Sequence, residues 1–229
     1  MKATTGTVER RFASPTSMHS GEDADWRTPP EVFHEWALIG KDAGMEKGHQ
    51  ASVDEMLTFA LTEIASLGEK FRALDVGCGN GWVVRRLSSH PHCSKAVGID
   101  AAPAMINKAR ELDTEGEYHL ANLLEWSSEN DFDLIHSMET MYYLEEPGEG
   151  IKHLSHLLAD GGILLIGIDH YAENEASLDW PQQVKTRMTT LSSEQWVTLF
   201  EMAGLEIIRV WKAAPRDDWP GTLVIAGRK

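Results

Sequence analysis

The chain has 229 residues, 42% of them hydrophobic, enough for one well-buried core of ordinary domain size. Its 36 acidic and 21 basic side chains give a net charge of −15, which repels nucleic acid and anionic lipid at long range because no basic excess displaces phosphate counterions. Two cysteines, Cys78 and Cys93, imply no disulfide framework and suit a reducing, cytoplasmic setting. No apolar stretch approaches the roughly 18 residues of a membrane span, and no signal peptide is expected in Met1–Ser20.

Met1–Asp25 is polar and weakly periodic, which predicts a mobile arm over 1–25 ahead of one domain over 26–229. Pro29 and Pro30 suit the first turn of a helix with Phe33, Trp36 and Ala37 on one face. Gly40–Gln50 is glycine-rich and charged and reads as a loop. Ser52 is placed to cap a second helix, in which Val53, Met56, Leu57, Ala60 and Ile64 keep helical spacing until Gly68 stops it. From Phe71 the pattern changes. Short apolar runs at Arg72–Val76, Ala96–Asp100, Glu117–Ala121, Phe132–Ser137 and Ile163–Asp169 read as strands. Between them, Trp82–Ser89, Pro103–Leu112 and Ile151–Leu158 read as helices. This alternation predicts an α/β fold, a doubly wound and mostly parallel sheet. After a helix near Ser193–Ala203, the runs Leu205–Trp211 and Thr222–Gly227 have no helix between them and should pair as an antiparallel hairpin at the sheet edge.

The stretch Ala73–Trp82 carries the chemistry. A buried strand ends in Asp75, Gly77, Gly79 and Gly81 alternate with Cys78 and Asn80, and a helix begins. Glycines let the backbone turn sharply and a ligand approach closely. The following helix N-terminus offers unpaired N–H groups and a positive dipole end. A glycine triplet alone could be a structural turn. The next strand, however, ends in Asp100, nineteen residues beyond Gly81, where an acid can accept both hydroxyls of a ribose lying across the strand ends.

The loop reads G-x-G-x-G with an acid two residues ahead, whereas a dinucleotide loop reads G-x-G-x-x-G. In this it resembles the class I S-adenosylmethionine-dependent methyltransferases. Tyr118–Leu123, Phe132–Ser137, Leu157–Leu165 and the edge hairpin fit the same family, so the resemblance covers Ala51 to Lys229. It implies a seven-stranded sheet and S-adenosylmethionine as cofactor. It places Gly77, Gly79 and Gly81, with Cys78 and Asn80 between them, under the methionine moiety, and Asp75 at its ammonium end. Asp100 would hold the ribose. Ala101, Met105, Asn122 and Leu123 would frame the adenine, and Ser137 would stand at the fourth strand end. Asn122 replaces a frequent Asp, but an amide still offers adenine a donor and an acceptor.

Methyl transfer needs an aligned nucleophile and, for some acceptors, a base. Substrate is expected above Ser137–Leu144 and Asp169–Tyr171. Tyr142 either shapes that pocket or packs at a helix start. His170 is a candidate base beside a strand end or an ordinary loop histidine, and His136, inside the strand, reads as structural. His49 lies in Gly44–His49, a segment that either folds over the cofactor or is a solvated linker. Together with Tyr171–Thr190 it is expected to close over the cleft and to be mobile without ligand, and the helices of 26–68 are expected to form part of the cap. His90–Cys93 lacks a second cluster that would complete a metal set, so no metal is expected. The sequence therefore points to a small-molecule methyl acceptor and weighs against nucleic acid and membrane. RNA or protein methylation, a nicotinamide dehydrogenase and a non-catalytic cofactor-binding subunit are the alternatives.

Overall fold

The computed structural model describes residues 25–65 and 70–229. The expected arm before Asp25 and the helix stop at Gly68 lie outside them. Seven strands form one sheet: β1 Phe71–Val76, β2 Cys93–Asp100, β3 Glu117–Leu120, β4 Phe132–Met138, β5 Leu158–Ile168, β6 Glu206–Ala213 and β7 Thr222–Arg228. Their order is β3-β2-β1-β4-β5-β7-β6. β1 to β5 run parallel, and β7 pairs antiparallel with both β5 and β6. The doubly wound sheet and its edge hairpin are those the alternation predicts.

Alternate residues of β1 feed two apolar layers. Leu74 and Val76 join Ile151 and Leu154 of α5 (Pro147–Leu157) and Trp196 and Phe200 of α7 (Ser193–Met202). Ala73 packs on the other face with Val83 and Val84 of α3 (Trp82–Ser88), Ile106 of α4 (Pro103–Leu112) and Met56 of α2 (Asp42–Ala65). Both faces are covered, as a parallel sheet requires. The order in which strands are added reverses between β1 and β4, and the crevice at such a switch point is where open α/β sheets take ligands. Among the described residues no helix is long and apolar enough to cross a membrane.

The N-terminal helices differ from expectation. α1 covers Pro29–Leu38, but Gly40–Gln50 is not a loop, since α2 begins at Asp42 and runs without a break to Ala65. Ser52 lies inside α2 and caps nothing; its Oγ accepts a 2.7 Å hydrogen bond from Thr222 Oγ1. Two helical glycines cost about 1 kcal/mol each relative to alanine. Docking of the first turn offsets that cost. The Asp42 carboxylate accepts from Lys108 Nζ at 2.5 Å and Asn80 Nδ2 at 3.0 Å, and Met45 packs on Ala37, Ala102, Ala104 and Met105.

Candidate active site

The β1–α3 turn is built around backbone that only glycine tolerates. Gly77 has φ +71°, and a Cβ there would lie 1.9 Å from Thr140 Oγ1, so the turn presses directly on the end of β4. Gly81 has φ +79° and faces the Tyr118 ring, 2.5 Å from where a Cβ would be. Its role is to let the chain turn into α3 over Tyr118, and it does not line the cavity described next.

That cavity holds about 800 Å³. Asp75, Gly77, Cys78, Gly79 and Asn80 form one wall, and Asp100, Ala101, Met105, Asn122 and Leu123 form the next. Thus the strand-end acid and the glycine turn, read separately in the sequence, meet in space. Asp100 Oδ2 accepts from Gly79 N at 2.9 Å and Oδ1 from Ala102 N at 2.7 Å. Burial pushes its pKa up to about 6, helped by the Asp75 charge and opposed by those amides. Each oxygen keeps a lone pair for further donors, the requirement for holding a pair of hydroxyls. Asn122 Oδ1 accepts from Leu124 N at 3.1 Å, which fixes the turn after β3.

The ends of β4 and β5 supply the floor. Glu139 follows β4 with φ 56°, a left-handed conformation that costs a non-glycine residue about 1–3 kcal/mol. Its Oε2 accepts from the Tyr142 hydroxyl at 2.7 Å, and its Oε1 from the Asp169 amide. His49, on α2, points Nε2 at Asp169 Oδ2, 3.6 Å away. Burial raises the Glu139 pKa well above the carboxylate range, and Asp169 adds to the shift. Burial likewise raises Asp169, opposed by Thr222, His49 and Arg216. It also lowers His49, against the pull of Asp169. Burial and then the Glu139 charge push the Tyr142 phenol well up. Among the described residues, the ligand atoms of His49, Glu139 and Asp169 all lie within 4.8 Å of one another. Only folding brings this trio together, from three separate parts of the chain.

Besides Gly81, two expected site residues stand elsewhere. Ser137 is fully buried and donates to the Val76 carbonyl at 3.1 Å, tying β4 to β1. His170 is neither a base in the cleft nor a surface residue. It is fully buried behind the insertion over 171–190, paired with the Ser177 carbonyl at 2.9 Å and Thr190 Oγ1 at 2.7 Å. His49 and Tyr142 do line the cavity.

His136 lines it as well, although its position inside β4 reads as structural. Its Nδ1 meets Asp75 Oδ1, and its Nε2 is buried without a protein partner. The signal was available in the strand pattern, since Asp75 and His136 are opposite one another once β1 and β4 are neighbours. Glu139 and Asp42 carry no comparable signal, because a φ above zero and a helix docked on Lys108 are not visible in spacing.

A glycine turn and a strand-end acid facing one cavity at the switch point of a doubly wound sheet are the arrangement in which open α/β folds hold nucleoside cofactors. The chain belongs to the methyltransferase domain family, which matches residues 45–210, and S-adenosylmethionine is the cofactor of the class I methyltransferases that share its fold. Nodulation protein S of Rhizobium tropici is 32% identical over 119 residues, 49% of this chain and 48% of that protein. The chloroplastic tocopherol O-methyltransferase of Arabidopsis thaliana is 25% identical over 203 residues, 80% and 58% of the two chains. The chain therefore spans about half the length of these relatives. Among solved structures, the methyltransferase partner in a complex with the Haloferax volcanii Trm112 methyltransferase activator superposes with a TM-score of 0.77 at 25% identity, covering 88% of this chain and 98% of that one.

Proposed function

We propose that the chain is an S-adenosylmethionine-dependent methyltransferase whose acceptor is a small molecule with an O, N or S nucleophile. The observation that carries this reading is the cavity shared by the Asp75–Asn80 turn, Asp100, Asn122 and the Glu139–Tyr142 floor. Small-molecule sites span about 300–1,000 Å³, and 800 Å³ leaves room for a nucleoside-sized donor beside a small acceptor. Asp100 would hold the ribose, Asn122 and Leu123 with Ala101 and Met105 the adenine, and Asp75 the amino-acid end. When bound, the cofactor supplies an electrophilic methyl on a sulfonium. The chain's own contribution is alignment and exclusion of water. Phe33, Tyr143 and Trp180 wall the cavity with aromatic surface. The net charge and the walled cavity argue against an RNA or protein acceptor. The free cysteines, Cys78 and Cys93, agree with a cytoplasmic setting.

Calorimetry with S-adenosylhomocysteine and with NAD tests the cofactor assignment, and methyl-labelled S-adenosylmethionine with a metabolite extract tests turnover. Binding of the first ligand without the second, and label in a small product, is the expected result. Tight NAD binding with no response to the methionine-derived ligand would overturn the reading. Cofactor binding with no product from any extract would favour a non-catalytic subunit.

A further inference from the structure

We infer that the methyl acceptor is an amine, docked as its ammonium on Glu139 where His49 and Asp169 converge. This rests on the methyltransferase reading and narrows its acceptor. The first ground is charge. Among the described residues no lysine or arginine lines the cavity, whereas Asp42, Glu46, Asp75, Asp100 and Glu139 do. A carboxylate or phosphate on the acceptor would find no countercharge there and would lose its hydration, which is costly in a buried site.

The second ground is that four of those acids are already engaged. Asp42 pairs with Lys108, which stands outside the cavity wall, and Glu46 accepts from Asn80 Nδ2 at 3.2 Å. Asp75 is bonded to His136, and Asp100 to two backbone amides. Glu139, like Glu46 and Asp100, is held only by neutral donors, here a phenol and an amide, and it differs from them in adjoining a second acid. Behind it, Asp169 Oδ1 is buried without a hydrogen-bond partner. Two adjoining carboxylates, one buried and one half-buried, resist joint ionisation unless a cation joins them. Arg216 acts on Asp169 through space, but it does not line the cavity.

The third ground is shape and aromatic surface. Acceptors around a tetrahedral nitrogen with N–H···O bonds of about 2.8–2.9 Å stand about 4.6 Å apart, a span the His49–Glu139–Asp169 trio allows. Tyr142 and Tyr143, with ring centroids 4.4 Å apart, and Phe33, edge-on to Tyr143 at 5.2 Å, present ring surface beside it, which attracts an organic cation. The Met45 backbone one turn back on α2 also favours the protonated His49 ring, and Nε2 is the atom toward Asp169.

The protons and electrons balance. The ammonium gives one proton to His49 Nε2, and Asp169 stabilises the imidazolium. Rotation about the substrate C–N bond turns the freed lone pair toward the methyl. The N–C bond forms as the methyl's bond to sulfur breaks, with that electron pair remaining on sulfur. The methylated amine leaves as an ammonium, and His49 returns its proton to water. Glu139 and His49 touch the acceptor; Asp169 is a positioning residue.

The test uses the full chain, chelator-treated and loaded with S-adenosylhomocysteine, and titrates matched probes by calorimetry: phenethylamine, 2-phenylethanol and 3-phenylpropionate, then butylamine, butanol and butyrate. At least one amine should bind at least tenfold more tightly than its matched alcohol and acid. Glu139→Gln should remove that preference. His49→Gln should keep amine binding but slow transfer of labelled methyl to the amine at least a hundredfold. Equal or tighter binding of the acids or alcohols overturns the inference. So does an amine preference indifferent to Glu139→Gln, binding that appears only with added Mn²⁺ or Zn²⁺, or no binding of any probe. Failure of S-adenosylhomocysteine itself to bind sinks the underlying methyltransferase reading, which separates the two.

Discussion

His136 Nδ1 stands 2.7 Å from Asp75 Oδ1, and both side chains are buried on neighbouring parallel strands. A carboxylate only accepts, so Nδ1 carries a proton, and Nε2 is left without a protein partner in a residue that lines the cavity. Asp75→Asn keeps an oxygen for Nδ1–H but removes the charge offered to the cofactor's ammonium. Stability by urea denaturation should change by less than about 1 kcal/mol, while S-adenosylhomocysteine affinity falls about tenfold or more. His136→Phe should do the reverse first, costing about 2–3 kcal/mol by stranding a buried carboxylate. If Asp75→Asn costs several kcal/mol of stability while the folded variant keeps its affinity, the pair is structural only.

Asp100 trades stability for a site. Burial raises its pKa from 3.8 to about 6, so the protonated form favours the folded state. That contribution is complete below pH 3.8 and is lost as pH rises through about 6, for a total of about 3 kcal/mol at most. Asp100→Asn escapes the loss but gives up one of the two amide bonds, worth about 1 kcal/mol. The ligand-free variant should therefore be about 1–2 kcal/mol more stable than the parent at pH 8 and no more stable at pH 4. It should also bind S-adenosylhomocysteine at least tenfold more weakly. Thermal unfolding at the two pH values, with calorimetry, checks both halves. A variant less stable at pH 8 would mean that Asp100 ionises without penalty.

The strands, the edge hairpin and the pairing of the glycine turn with the strand-end acid were legible because they rest on local rules. Apolar runs of strand length, an acid before alternating glycines and an acid at the next strand end all lie within short windows of sequence. The acceptor half was not. Glu139, Asp169 and His49 come from β4, β5 and α2, and only the sheet order and the packing of α2 put them together. His170 shows the converse. It directly follows a strand-end acid, yet the insertion folds back and buries it.

His170 gives a pH test. Its pKa is lowered by burial, against a bond to the Ser177 carbonyl, so the folded state prefers the neutral ring. The stability it contributes is present above pH 6.5 and is lost as pH falls below that value. His170→Asn, which cannot take up a proton, should lose less stability between pH 7 and 5 than the parent. Because His170 lies off the cavity, the folded variant should bind S-adenosylhomocysteine normally. A large loss of affinity in a folded variant would return His170 to the site.

The last prediction separates a helix from a lid at the start of α2. Gly48 is exposed and helical, and a Cβ added there meets nothing within 4 Å. Alanine at an interior helical position is favoured over glycine by about 1 kcal/mol, because glycine loses more backbone freedom on folding. Gly48→Ala should therefore stabilise the protein by about 1 kcal/mol, or about 2–4 °C in Tm for a chain of this size. In hydrogen exchange, the amides of Met45–Gln50 should be protected without ligand, since Asp42, held by Lys108 and Asn80, anchors the turn before them. A closing lid gives the opposite pattern: rapid exchange in ligand-free protein, protection only on adding S-adenosylhomocysteine, and no stability gained from Gly48→Ala. That outcome would mean that His49 reaches Asp169 only in a closed state, and that α2 begins, without ligand, nearer Ser52.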